Sequence, residues 1–330
     1  MNEPILTIVV PCYNEEDMLP QSLPILRNVL SQACEETLIS TASTLLLVDD
    51  GSKDATWSLI ETASLHHANV TGLKLSRNFG HQNALIAGME NARPYSDCVI
   101  TIDADLQDDV QAILTFLRKY QEGFDIVYGV RDARETDTAF KRNTALIFYR
   151  LMGAFGVEMV PNHADFRLLS RRVLDQFVNY HEENLFLRGM IPLLGFKSTK
   201  VYYNRGKRLA GESKYPLRKM LNFAIDGITS FSIVPIRMVT WLGVLISGLG
   251  FLYGLYVLIQ HFTGHVETGW TSLILSIWLI GGIQLIAIGV IGEYIGKIFK
   301  ETKHRPRYII ETKCSKRDLS AAHDFVELRK

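Results

Sequence analysis

Cysteine is scarce in this chain of 330 residues: Cys12, Cys34, Cys98 and Cys314 lie too far apart for any metal-binding or redox spacing. Cys12 and Cys98 stand in apolar, strand-like contexts, so the four read as reduced core or surface thiols rather than a disulfide framework. Net charge is absent as well. Lys plus Arg and Asp plus Glu number 35 each, a balance that points to neither nucleic acid nor an acidic partner. No Gly-x-Gly-x-x-Gly follows any candidate strand, so the dinucleotide fingerprint is missing and hydride transfer is disfavoured. The first residues, Met1-Asn2-Glu3-Pro4, lack the basic start and apolar run of a cleavable signal, which places the first domain in the cytosol as an expectation.

What is present is a series of short apolar runs that end in acid or amide. Leu6 to Val10 leads into Pro11-Cys12-Tyr13-Asn14-Glu15-Glu16, and Thr44 to Val48 into Asp49-Asp50-Gly51-Ser52. Val70 to Leu75 leads into Ser76-Arg77-Asn78-Phe79-Gly80, and Cys98 to Ile102 into Asp103-Ala104-Asp105-Leu106-Gln107-Asp108. Each of the first three is followed by a helix-like segment, a repeat that predicts a parallel sheet covered on both faces. Gly51 permits a tight turn, and Ser52 or Asp54 is positioned to cap the helix after it. Ligands of open α/β sheets gather beyond the carboxyl ends of the strands, so the acids would stand at the ligand. Asp103 and Asp105 supply the hard oxygens that Mg²⁺ or Mn²⁺ prefers, and Gln107 can add an amide oxygen. The competing reading makes Asp-Ala-Asp a loop start, with Asp108 capping the following helix.

These segments resemble the motifs of family 2 glycosyltransferases of GT-A fold, most closely the polyprenyl-phosphate group that includes dolichyl-phosphate mannose synthase and bactoprenol glucosyltransferase. The similarity continues through Ala164-Asp165-Phe166-Arg167-Leu168-Leu169, Asn184-Leu185-Phe186, Gly211-Glu212-Ser213-Lys214-Tyr215 and Gly292-Glu293-Tyr294-Ile295-Gly296. By that resemblance Asp103, Asp105 and Gln107 hold the metal, while Pro11, Tyr13, Glu15 and Asp50 line the nucleoside pocket. It places Arg131 near the lipid phosphate, which a guanidinium can grip bidentately, with Arg142 as a second candidate. Asp165 takes a catalytic place beneath the sugar. A phosphate monoester acceptor is largely ionised at neutral pH, so Asp165 is expected to orient more than to deprotonate. Arg205 and Lys214 would fold over the donor diphosphate.

Membrane attachment is read from the C-terminal third. Residues 216–232 carry Leu217, Met220, Leu221, Ala224 and Ile225 at helical spacing around Arg218, Lys219 and Asp226, the pattern of an interfacial amphipathic helix. Met238 to Gln260 and Ser272 to Gly292 are uncharged apolar runs of about 20 residues, the length needed to cross a bilayer. Arg218, Lys219 and Arg237 precede the first run, and Lys297, Lys300, Lys303, Arg305 and Arg307 follow the second. The loop between holds no Lys or Arg, so both termini are expected in the cytoplasm. Gly243, Gly248, Gly250 and Gly254 suggest close helix packing, including packing between protomers.

The expected organisation is thus a catalytic domain over 1–215, a juxtamembrane helix over 216–232, a transmembrane hairpin over 233–297 and a cytoplasmic tail over 298–330. The expected reaction moves one hexose, glucose from UDP-glucose in the leading case, to a polyprenyl phosphate. GDP-mannose, UDP-N-acetylglucosamine or a UDP-aminoarabinose derivative are the alternative donors. A processive polysaccharide synthase would carry a Gln-x-x-Arg-Trp motif, which this sequence lacks; a silent nucleotide-sugar-binding scaffold is the rival from another class.

Overall fold

The structure is a computed structural model that describes residues 3–131, 163–182, 187–204, 234–262 and 269–315. The chain divides into two compact units, one built on a sheet and one holding two long apolar helices.

The first unit is an eight-stranded sheet. Strand β1 (Leu6–Cys12) is buried at all seven positions, because it lies between two parallel neighbours, β2 (Thr44–Asp49) and β4 (Cys98–Thr101). β3 (Val70–Leu75) extends the parallel set beyond β2. Helices α1 (Leu19–Glu35), α2 (Thr56–His66) and α3 (His81–Ala92) follow the first three strands as the sequence pattern requires, and α4 (Ala112–Gln121) follows β4. Gly88 lets α3 lie close to the sheet, since a Cβ there would stand 2.3 Å from Cγ1 of Val9.

The other half of the sheet departs from the parallel expectation. β6 (His163–Ser170) enters between β4 and β5 (Ile126–Arg131) and runs antiparallel to both, while β7 (Ser198–Tyr203) pairs parallel with β5. With a last strand, β8 (Ile310–Cys314), the order is β7-β5-β6-β4-β1-β2-β3-β8. Alternation within β6 gives the physical reason for its place. Phe166 and Leu168 are buried, with Phe166 against Phe116 at 4.5 Å between ring centroids and edge-on to Tyr203 at 5.4 Å, so Asp165 and Arg167 point to the opposite face. Because β6 is reversed, its first residues lie beside the carboxyl end of β4, and Asp165 arrives next to the Asp103 loop.

Strand β8 (Ile310–Cys314) closes the far edge, antiparallel to β3. The segment leading into it is clamped as well: Tyr308 Oη donates to the Glu90 carboxylate on α3, and Arg307 donates to the Tyr180 carbonyl after α5 (Arg171–Phe177). Part of the segment expected as a tail over 298–330 is therefore a strand of the sheet, Ile310–Cys314. All four cysteines are free, Cys12 and Cys98 buried.

In the second unit, α7 (Val234–Phe262) and α8 (Trp270–Glu301) contain candidate spans over Val234–Tyr253 and Leu279–Glu301, with mean hydropathy 1.6 and 1.7. Their apolar side chains are open: Phe251 is 73% and Leu285 72% exposed. Core helices of a soluble domain are mostly enclosed, whereas neither candidate span is buried among the described residues. A Cβ at Gly243, Gly248 or Gly250 would meet nothing within 4 Å, so the close packing expected of them is not made among the described residues. The amphipathic helix expected over 216–232 lies outside the described residues.

Candidate active site

The loops beyond β1, β2 and β3 are stitched together by backbone and side-chain hydrogen bonds. Asn14, at φ +54°, donates its N–H to Ser52 Oγ at 2.9 Å and accepts from Lys53 N at 2.9 Å. Glu15 N donates to Thr56 Oγ1 at 2.8 Å, and Glu16 exchanges bonds with Asp54 and Ala55. Neither expected cap is the N-cap of α2, which is Ala55 with no side-chain cap bond: Asp54 accepts from Thr56 N at 3.0 Å in the turn before it, and Ser52 is spent on Asn14. Asp50 is buried and accepts from Phe79 N at 2.7 Å and Gly80 N at 2.9 Å. Burial pushes its carboxyl up against the pull of those two bonds, and the residue anchors the loop that opens α3. Gly51, at φ +67°, allows that approach, since a Cβ there would lie 2.4 Å from the Arg77 carbonyl carbon. Pro11 is buried and Tyr13 half exposed on the same stitched loop.

Anchoring of Gly80 places His81, the first residue of α3, at the centre of the cluster. Its Nε2 lies 3.5 Å from Asp103 Oδ1 and 3.7 Å from Asp165 Oδ2. Burial works against a charged imidazole, but the neighbouring Asp165 and Asp103 outweigh it and raise its pKa. Asp103 Oδ1 is enclosed and accepts no hydrogen bond. Burial, with the negative charges of Asp165, Asp108 and Asp105 overcoming the pull of His81, pushes the Asp103 carboxyl up to about 6. Asp105 is half-buried and its Oδ1 accepts from Gln107 N at 3.3 Å, which folds the Asp-Ala-Asp-Leu-Gln loop back on itself; Gln107 is buried.

Asp165 is held from several sides. Thr101 Oγ1 at the end of β4 donates to its carbonyl, the fully buried Arg167 donates to Oδ1, and Arg188 on α6 (Leu187–Leu193) spans both oxygens. Burial alone would raise this carboxyl, yet His81, Arg167 and Arg188 together hold it well below the usual carboxylate range. An acid that stays ionised so firmly is a poor proton acceptor at neutral pH, and an effective fixed charge.

Arg131 stands apart from that cluster. At the end of β5 its Nε donates to Asp108 Oδ1 at 2.9 Å, and Tyr203 Oη donates to the same oxygen at 2.7 Å. Asp108 is thus not the cap of α4; Asp109 accepts from Gln111 N at 3.0 Å just before that helix, and Asp108 is the buried counter-ion that aims Arg131. Arg142, Arg205 and Lys214 lie outside the described residues. His81, Asp108, Tyr203, Arg167 and Arg188 were given no site role from sequence. For His81 the signal was available in the strand-end loop that precedes it; for Arg188 it was a lone cation in an apolar run.

A carboxylate cluster at the carboxyl ends of the strands, flanked by guanidiniums, is suited to a ligand that carries phosphate. The comparisons agree: Glycosyl transferase family 2 matches residues 7–178, and the GtrB C-terminal hairpin matches residues 234–298. The chain is 55% identical to the uncharacterized glycosyltransferase YkoT of Bacillus subtilis over 94% of its length and 92% of that protein. It is 40% identical to the bactoprenol glucosyl transferase of Shigella phage SfV, covering 94% of this chain and 99% of the relative. Glucosyl-3-phosphoglycerate synthase of Mycobacterium tuberculosis is a structural neighbour at 16% identity and TM-score 0.43, over 68% of this chain and 78% of that one. This chain belongs to glycosyl transferase family 2 and is a glycosyltransferase.

Proposed function

We propose that the protein transfers a single hexose from a nucleoside diphosphate sugar to a polyprenyl phosphate at the cytoplasmic face of a membrane, with UDP-glucose as donor. The reading is supported by near full-length similarity to proteins named bactoprenol glucosyl transferase, together with the apolar hairpin. The observation that carries it is the meeting of Asp103, His81 and Asp165 at the strand ends, in a chain that also holds two exposed apolar helices of membrane-crossing length.

A divalent cation, Mg²⁺ or Mn²⁺, fits the donor set. Asp103 keeps an enclosed oxygen without a hydrogen bond, beside the carboxylates of Asp105 and Asp165, a hard-oxygen set of the kind these ions prefer. Among the described residues no three His, Cys, Asp or Glu side chains form a ligand group, so Asp103, Asp105 and the Gln107 amide would share the ion with donor oxygens. When bound, it would neutralise the departing diphosphate.

The residues of the chain do the rest. Pro11, Tyr13, Glu15 and Asp50 shape the nucleoside pocket, Asp50 by fixing the loop to Gly80. Arg131, aimed by Asp108 and Tyr203, takes the acceptor phosphate, with Arg142 as a second candidate for that role, and Arg205 and Lys214 cover the donor diphosphate. Asp165 remains an ionised anchor beneath the sugar. A lipid phosphate oxygen attacks the anomeric carbon as the bond to the diphosphate breaks, which inverts the configuration; the phosphate acceptor is already ionised and needs no base. The positive-inside pattern puts both termini in the cytoplasm, and the open glycines of α7 provide for contact between protomers.

The test is a donor screen with the purified full chain in lipid. Radiolabelled UDP-glucose, GDP-mannose, UDP-N-acetylglucosamine and a UDP-aminoarabinose derivative are each incubated with undecaprenyl phosphate, with Mg²⁺, Mn²⁺ or chelator. Lipid-linked glucose formed only with a divalent ion is the expected result. Equal turnover in chelator would overturn the metal assignment, and no transfer from any donor would favour a non-catalytic scaffold.

A further inference from the structure

Arg188 sits on a short helix whose periodicity aims it at the site. Leu187, Met190 and Ile191 are buried at 2%, 1% and 0% exposure, so the helix packs down on that stripe and turns Arg188 the other way, its side chain 36% exposed. The helix start is fixed from two sides: Leu187 N donates to Gln82 Oε1 at 2.9 Å, and Arg167 reaches the Leu187 carbonyl at 3.5 Å. Gln82 neighbours His81 on α3, so the element that carries Arg188 takes its position from the element that carries His81.

The two guanidiniums on Asp165 are not equivalent. Arg167 contacts Oδ1 only and is fully buried, a structural counter-ion. Arg188 contacts Oδ1 through Nε at 3.4 Å and Oδ2 through Nη2 at 3.1 Å. With one contact the carboxylate can turn about the Oδ1 pair; two parallel contacts fix its plane, and with it the direction in which Oδ2 faces His81.

We propose that Arg188 is a positioning residue for sugar transfer, acting through Asp165 by fixing the plane of its carboxylate. The proposal rests on the glycosyl-transfer reading above, which assigns Asp165 its place beneath the sugar. Arg188 itself is assigned no contact with the sugar.

The experiment compares full-length wild type, Arg188→Ala and Arg188→Lys in lipid, with whichever donor the wild type uses. Loss of a well-oriented contact costs on the order of 100-fold in rate. Arg188→Ala is therefore expected to lower kcat about 100-fold while both KM values stay within about threefold, because the interaction is not with the substrates. Added methylguanidine should restore part of kcat. Arg188→Lys, which keeps the charge without the fork, should stay about tenfold below wild type with an unchanged thermal midpoint. Unchanged kcat in Arg188→Ala, a loss confined to KM, or a loss that follows a lowered midpoint in both variants without rescue would overturn the proposal. An inactive wild type would instead count against the glycosyl-transfer reading, so the two failures are distinct.

Discussion

Asp165 and Asp103 titrate in opposite directions, and each gives a prediction. The folded pKa of Asp165 lies below its unfolded value of about 3.9, so its stabilising contribution is complete above that pH and fades as the pH falls below it. Asp165→Asn would leave buried Arg167 without its counter-charge, a loss of about 3–5 kcal/mol at pH 7. Unfolding of wild type and variant across pH should show the gap narrowing below about pH 4. Asp103 is the reverse case: with its carboxyl pushed up to about 6, ionisation above that pH works against the fold. Asp103→Asn in chelator is expected to raise the thermal midpoint at pH 8, and the gain should shrink as the pH falls from about 6 and be gone below about 4. Mn²⁺ with UDP-glucose should raise the midpoint of wild type and not of Asp103→Asn. The acids were legible in the sequence because a carboxylate at the end of an apolar strand is conspicuous. His81 and Arg188 each carried a local signal, but their roles were not legible, since their partners lie far along the chain and only the fold brings them together.

At the level of elements, the loops rather than the strands set the site. Gly51→Ala would drive a Cβ into the Arg77 and Asn78 backbone at an unfavourable φ. It should destabilise by about 1–3 kcal/mol and raise donor KM by displacing the Phe79-Gly80 amides from Asp50, measurable by thermal melts and initial rates. Strand β8 gives a second handle. Lys313 pairs with Leu73 of β3, and Lys313→Pro in this edge strand would disrupt the pairing and uncover β3. A lower melting temperature and faster proteolysis after α8 are expected, while Lys313→Thr, which keeps the pairing, should behave as wild type. The first four strands and three helices could be read from apolar runs and turn residues. β6 could not be oriented that way, because Ala-Asp-Phe-Arg-Leu-Leu reads the same whether it runs parallel or antiparallel to β4.

For the whole molecule, the two apolar helices expose large side chains such as Phe251 and Leu285, a surface that water would not tolerate without a partner. The full chain is expected to stay in the membrane fraction after alkaline carbonate washing and to leave it only with detergent; release by carbonate would contradict a spanning hairpin. The sequence by itself determined that there is an α/β unit with acids at its strand ends, that an apolar hairpin of bilayer length follows, and that the chain resembles family 2 glycosyltransferases. Those are properties of local composition and period, and they survive without knowledge of contacts. Only the tertiary structure decided that β6 runs backwards to carry Asp165 to Asp103, that Asp108 is the partner of Arg131 rather than a helix cap, and that the chain after the hairpin returns as an edge strand. The reason is physical: strand direction and ion-pair choice depend on which distant backbone and buried charge lie alongside, and burial enforces each pairing by making the unpaired charge costly.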